Sequence, residues 1–220
     1  MESPHGQNGL NGSLQLPDPE IVGHSSSDWQ AALPVLSRGR VTLRELRISD
    51  ASSLFEMLTT HEVTRFIHVP PTSVDAFERF ILHMHEQRTN GTGACFAVTI
   101  DGLDKAIGLF QIRATETGFS FAEWGFAIGS PFWGTGVFQQ CAELLLEFAF
   151  ETIGVRRLEA TVAVRNGRAN RALQKVGAVQ EGVLRESFLC KGGYLDEALY
   201  AILEGDWRAS RVRRLLRNAA

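Results

Sequence analysis

Residues 128–150 read IGSPFWGTGVFQQCAELLLEFAF, a glycine-broken loop that runs directly into a long amphipathic helix. From Val137 onward the apolar positions Val137, Cys141, Leu144, Leu145 and Phe148 form one stripe, so this helix is expected to pack inward along its length and to hold its N-terminus in place. The first N–H groups of such a helix have no intrahelical acceptor and carry the positive end of the helix dipole. Gly134 and Gly136 remove side chains that would block an approaching anion. The loop is therefore predicted to hold a phosphate or pyrophosphate.

Working outward, the segments before the loop alternate with period two. ACFAVTI (94–100), KAIGLFQIR (105–113) and FSFAEWGFAI (119–128) read as an antiparallel meander with turns at DGLD and near ETG. Before them, VTLREL (41–46) is a strand. SDASSLFEMLTT (49–60) is a helix capped by Ser49 or Asp50, with Leu54, Phe55 and Leu58 inward. In TSVDAFERFILHMHEQRTNG (72–91), Phe77, Phe80, Ile81 and Met84 recur at helical spacing, and Gly91 or Gly93 ends the element. After the central helix come a strand RRLEATVAV (156–164), a short helix in NGRANRALQKVGA (166–178) stopped by Gly177, and a terminal hairpin turning at Lys191 to Gly193.

With 220 residues and 44% hydrophobic content the chain has the material for one full core. Residues 1–37 are rich in Gly, Ser, Pro and Asn without sustained period and read as a disordered or loosely docked leader. The folded domain is assigned to residues 38–208, and residues 209–220 to a basic C-terminal tail. The last stretch, WRASRVRRLLRNAA, holds five arginines, which reads as a solvated helix face; the net charge of −3 gives no general attraction to nucleic acid. No stretch reaches the roughly 18 uninterrupted apolar residues of a membrane helix. Cys95, Cys141 and Cys190 are odd in number and set in apolar surroundings, which fits reduced thiols in the cytoplasm. His83 and His85 fall on different helix faces, and no metal site is expected.

Three phosphate-binding schemes use a glycine loop at a helix start. A Walker loop is excluded, because nothing matches GxxxxGK[ST]. GTGVFQ supplies two glycines of a dinucleotide fingerprint but has Gln139 at the third, after a meander rather than a βαβ unit. The third scheme is that of the GCN5-related N-acetyltransferases. VTLRELRISDA (41–51), AEWGFAIGSPFWGTG (122–136) and NGRANRALQKVGAVQEGVLRESF (166–188) together resemble that superfamily over about residues 40–208, and most of all its RimJ/RimL-type branch, which is similar to enzymes acetylating ribosomal-protein N-termini.

The resemblance implies an α/β (α+β) fold: a mixed, mostly antiparallel twisted sheet of six to seven strands, helices on both faces and a splayed central strand pair. It implies acetyl-CoA as cosubstrate and no metal. The pyrophosphate would be gripped by the backbone N–H groups of Gly134, Thr135, Gly136, Val137 and Phe138. The pantothenate arm would pair with free backbone groups of Phe126 and Ile128 in the splay, and the Ile128 N–H would stabilise the oxyanion. Against the family pattern [Q/R]xxGx[G/A], Trp133 stands first and Phe138 last, so Phe138 either narrows the pocket or packs beneath it.

Asn166 matches the Asn that opens the following helix in the family; a helix cap and a cofactor contact are both open and can coexist. Asn170, one turn on, is a second cofactor contact or a solvent-facing residue. Glu123, a lone carboxylate in an apolar strand, is the candidate base; the alternative is an ion pair with Arg113 or Arg157. Leu173 stands where many relatives carry a Tyr acid, which leaves the acid unassigned. The resulting expectation is a cytoplasmic N-acetyltransferase, monomeric or homodimeric, acting on a protein N-terminus or a small-molecule amine, without nucleic acid or membrane partners. A non-catalytic acyl-CoA sensor and a nucleotide-dependent oxidoreductase are the competing classes.

Overall fold

The computed structural model describes residues 29–67, 71–116, 118–190 and 192–218. Eight strands of these residues form one sheet in the order β1-β2-β3-β4-β5-β6-β8-β7. They are β1 Leu36–Arg38, β2 Val41–Glu45, β3 Gly93–Ile100, β4 Leu103–Ala114, β5 Phe121–Ile128, β6 Arg157–Ala163, β7 Val179–Cys190 and β8 Gly193–Leu203. Every neighbouring pair is antiparallel except β5 with β6, which is parallel. The strand count exceeds the expected six to seven because β1 lies in the segment read as leader.

Helices cover both faces. On one side, α1 (Ala51–Leu58) and α3 (Val74–Thr89) press Leu54, Leu58, Phe77, Ile81 and Met84 against Cys95, Ala97 and Leu109. On the other, α4 (Val137–Glu147) buries Val137, Cys141, Leu144 and Leu145 of the predicted stripe, and the π-helical turn Phe148–Ile153 that continues it buries the fifth, Phe148, against a core that contains Phe96, Phe110, Ile112 and Trp124. β3 is buried at every position because its alternate residues serve these two cores. A one-turn α2 (His61–Thr64) follows α1, α5 (Gly167–Lys175) follows β6, and α6 (Glu204–Asn218) closes the chain. No helix among the described residues is long and apolar enough to cross a membrane.

Two expected boundaries move. Trp29 and Leu33 are buried, with Trp29 edge-on to Phe119 and Phe148, so residues 29–37 pack on the domain; residues 1–28 lie outside the described residues. A Trp amid polar residues carries no period, and only its tertiary partners reveal it as core. The basic end does not separate at residue 209: α6 runs through that position, Trp207 stacks on Phe150, and Arg211 pairs with Glu147 and Glu151. In the expected turns, Thr117 and Lys191 fall outside the described residues.

Cys95 and Cys141 are buried and unpaired, and burial pushes both thiols well above their ordinary range, which makes them poor nucleophiles. Cys190 differs from the apolar setting expected of it: half-buried at the hairpin end, its Sγ donates to the Arg65 carbonyl at 3.2 Å. That bond ties the β7–β8 hairpin to the segment after α2.

Truncating the Trp29 anchor should be costly. Trp29→Ala is expected to remove about 3 kcal/mol of stability, within the range for buried aromatic truncations, and to lower Tm by roughly 6–12 °C. Thermal melting by circular dichroism checks this; a change below about 2 °C would place residues 29–37 outside the cooperative core.

Candidate active site

The site begins where two strands part. β5 and β6 pair only at Phe121–Arg157, Ala122–Leu158 and Glu123–Glu159, although each strand continues beyond. Gly129 donates to the Ile107 carbonyl at 2.9 Å on the β4 side, and Ile128 and Phe126 sit opposite Gly108 and Phe110. Backbone groups alternate in direction along an antiparallel strand, so those of Ile128 and Phe126 point away from β4, into the gap. One is capped: Trp133 Nε1 donates to the Ile128 carbonyl at 2.8 Å.

A cleft of about 1120 Å³ opens over this gap. Its floor is the 126–128 edge of β5, one wall is the loop from Ser130 to Gln139, another is α5 with its preceding turn, and the third is the 61–67 segment. Gly134 (φ +76°) and Gly136 (φ +85°) both adopt the left-handed backbone that favours glycine. A Cβ at Gly134 would meet no atom within 4 Å, and one at Gly136 only Gln140 Nε2 at 3.9 Å, so these glycines face open space. The first bond of α4 is from Gln140 N–H to Gly136 O at 3.2 Å, which leaves the N–H groups of Val137, Phe138 and Gln139 without intrahelical acceptors. This is a cradle shaped for an anion.

Within the cradle the five expected residues differ in role. Gly134, Gly136 and Phe138 line the cleft, whereas Val137 sends its side chain into the core and the Thr135 hydroxyl donates to the Phe132 carbonyl at 2.7 Å. Thr135 and Val137 thus offer a ligand their backbone N–H groups and not their side chains. Phe138 packs beneath, its ring 4.6 Å from Phe126 and 5.7 Å from Phe110, in an aromatic floor that includes Trp124. Asn166 lines the cleft and also caps α5, accepting from the Ala169 N–H at 3.2 Å.

Two candidates are not brought to the cleft. Asn170 spends its amide on structure: Nδ2 donates to the carbonyls of Ala163 (3.0 Å) and Asn166 (2.8 Å), and Oδ1 accepts from Tyr200 (2.9 Å). It joins α5 to β6 and β8, a role that helical spacing alone could not distinguish from ligand contact. Glu123 is neither buried nor lining the cleft: it accepts from Arg113 Nη2 at 2.5 Å, with 38% of its side chain exposed. It stands where β5 is still paired with β6, five residues or about 16 Å along the strand from Ile128. The cross-strand register sets Arg113 opposite Glu123, and the two form the ion pair that was the alternative to a catalytic role.

Residues missed by sequence reasoning include Arg65, Arg165, Arg168, Arg171 and Lys175, which give the cleft a cationic lining, and Glu62, the carboxylate among the lining residues. Their signal was slight: Arg168, Arg171 and Lys175 recur at helical spacing, but so do solvated charges on most helices. Arg168 lies over the Trp133 ring at 3.7 Å, joining α5 to the glycine loop. No group of three metal-ligating side chains occurs among the described residues. Contrary to the meander expected around the loop, β5, α4 and β6 form a parallel βαβ unit; what stands against the dinucleotide scheme is Gln139 in place of the fingerprint's third glycine.

Comparison with known proteins agrees with this geometry. The model of the acetyltransferase (GNAT) domain matches residues 40–179. An uncharacterised N-acetyltransferase, p20, of Bacillus licheniformis is 25% identical over 76% of this chain and 95% of its own. The spermidine N(1)-acetyltransferase of Escherichia coli K12 is 25% identical over 77% of this chain and 89% of its own. Among solved structures, Mycobacterium smegmatis RimJ in complex with CoA-disulfide superposes with a TM-score of 0.69, at 21% identity over 77% of this chain and 88% of that one, a likeness of fold.

The exposed Glu123–Arg113 pair predicts a mild variant. Glu123→Gln should keep turnover within about threefold of wild type and cost no more than about 1 kcal/mol, as surface pairs do. Steady-state rates and melting measured together decide; a loss of turnover by 10² or more would return the catalytic assignment to Glu123.

Proposed function

The chain belongs to the acetyltransferase (GNAT) family and is an N-acetyltransferase; from that premise we propose that acetyl-CoA lies in the cleft described above and that an amine enters opposite it, beside Glu62. The observation that carries this reading is the glycine cradle at the mouth of the β5–β6 gap: unpaired N–H groups for a pyrophosphate, followed by an unpaired strand edge for an amide-bearing arm. Family members use acetyl-CoA, and the open space at Gly134 and Gly136 together with the cationic walls suits its phosphates.

In this reading Gly134 through Phe138 anchor the pyrophosphate, and the Phe126 and Ile128 backbone aligns the arm. The Ile128 N–H, directed into the gap, stands where it can stabilise the thioester oxygen as the amine attacks. Acetyl passes directly to the amine, and the buried, protonated thiols of Cys95 and Cys141 take no part. With Glu123 engaged elsewhere, Glu62 is the carboxylate available in the cleft to hold the incoming ammonium and receive its proton.

Two acceptor classes suit the cleft: a protein N-terminal α-amine, in keeping with the RimJ/RimL-type resemblance, and a small-molecule primary amine. An α-amine has a pKa near 7.7–8.0 against about 10.4 for a lysine ε-amine, so it is already partly neutral at pH 7 and asks less of a base. Release of free thiol from acetyl-CoA across a panel of peptides and amines identifies the acceptor. Acetyl-CoA binding without thiol release for any amine would favour a sensor.

Two variants test the assignment. Gly136→Asp should abolish acetyl-CoA binding in a folded protein, because it sets a carboxylate at the cradle while Asp still tolerates left-handed backbone; unchanged affinity by calorimetry would remove the cradle from the reading. Glu62→Gln should lower turnover at neutral pH by roughly 10² and recover as pH rises and the amine loses its own proton. A pH–rate profile parallel to wild type would exclude Glu62 as proton acceptor.

A further inference from the structure

Four cations face the cleft from one short run of chain: Arg165 in the turn before α5, and Arg168, Arg171 and Lys175 on the helix. Positions 168, 171 and 175 recur at intervals of three and four and so share a side. Leu173, fully buried, and Asn170 and Gln174, both bonded with Tyr200, hold the other side against the sheet. The stripe extends for about 10 Å, at 1.5 Å of rise per residue.

Several arginines of the frame are neutralised within the fold. Arg38, Arg157 and Arg211 each meet two carboxylates. Among the described residues, Arg165, Arg171 and Lys175 have no acidic partner, and Arg168 rests on the Trp133 ring instead. Cations at three- and four-residue spacing on a helix repel one another. What sets this stripe apart is its place: gathered along one wall of the cleft, it is suited to an anion brought from outside.

That anion is more than the diphosphate, for which the Gly134–Phe138 cradle has its own donors. The Arg168–Trp133 stack makes the stripe and the cradle two walls of one groove, since Trp133 immediately precedes Gly134. Arg171 folds back along the helix, its Nη1 3.6 Å from where a Cβ on Gly167 would lie, which gathers its charge beside Arg165 and Arg168. Coenzyme A carries one further anion, the 3′-phosphate, on the same ribose as the 5′-diphosphate. A phosphate held in the cradle therefore brings this second one within reach of the adjoining wall.

Resting on the acetyl-CoA reading of the cradle, we propose that Arg165, Arg171 and Lys175 form a subsite for the ribose 3′-phosphate. The subsite makes the enzyme select acetyl-CoA over acetyl thioesters whose pantetheine arm lacks that phosphate. A phosphate monoester is close to a dianion at neutral pH, and guanidinium and ammonium groups bind it by charge-assisted hydrogen bonds.

Calorimetric titration of the full chain with CoA and with 3′-dephospho-CoA tests this. CoA should bind at least about tenfold tighter, a difference of about 1.4 kcal/mol, and the preference should shrink as salt is raised. A double variant, Arg171→Ala with Lys175→Ala, should bind the two compounds alike, whereas the charge-keeping exchange Arg171→Lys with Lys175→Arg should restore the preference. Equal affinity of the wild type for both compounds would overturn the subsite and leave the cradle standing. Binding of neither would overturn both, and an undiminished preference in the folded double-alanine variant would overturn the assignment to these residues.

Discussion

Everything at the site follows from the parting of β5 and β6 after three paired residues. A strand edge inside a protein carries N–H and C=O groups that must find partners, and leaving them unpaired is costly. The chain answers part of this itself, with Trp133 Nε1 on the Ile128 carbonyl, and leaves the rest facing a cleft. The gap is held open from both sides. β4 keeps β5 in a continuous antiparallel register, and β8 does the same for β6, so neither strand can bend to close it.

The cleft also depends on an apolar floor. Phe110, Trp124, Phe126 and Phe138 cluster beneath it, and α4 buries Val137 and Cys141 alongside them. This packing fixes the helix start, and a fixed start lets N–H groups serve an anion without reorganising. Trp133 has a second structural function: it packs against the cores on both faces of the sheet while its ring carries Arg168. One side chain thus couples the glycine loop, the strand edge and α5, and its large planar surface explains how a residue outside the family pattern serves at that position.

Electrostatics separates frame from site. Arg44 and Asp50, both nearly inaccessible, form a bidentate pair at 2.8 Å for each bond, with Asp104 joining at the rim. Such a pair anchors β2 to the start of α1, and removing one partner would strand a buried charge. Arg38, Arg157 and Arg211 fasten strands and helices at the surface. The cleft reverses this economy, with five cations and one carboxylate among its lining residues, an imbalance that folding alone would not favour.

Element types, the α4 stripe and the glycine cradle were legible in the sequence because each is local: period two, period three to four, and two glycines before a helix. The family resemblance supplied the splay. Tertiary structure alone decided what depends on partners distant along the chain. Glu123 is set opposite Arg113 by strand register, Asn170 is turned to Tyr200 thirty residues away, and Trp29 is made core by Phe119 and Phe148. A lone polar residue in an apolar strand looks the same whether it meets a substrate or an arginine across the sheet. The sequence specifies which residue types are available, but the pairing of strands determines which of them face the cleft.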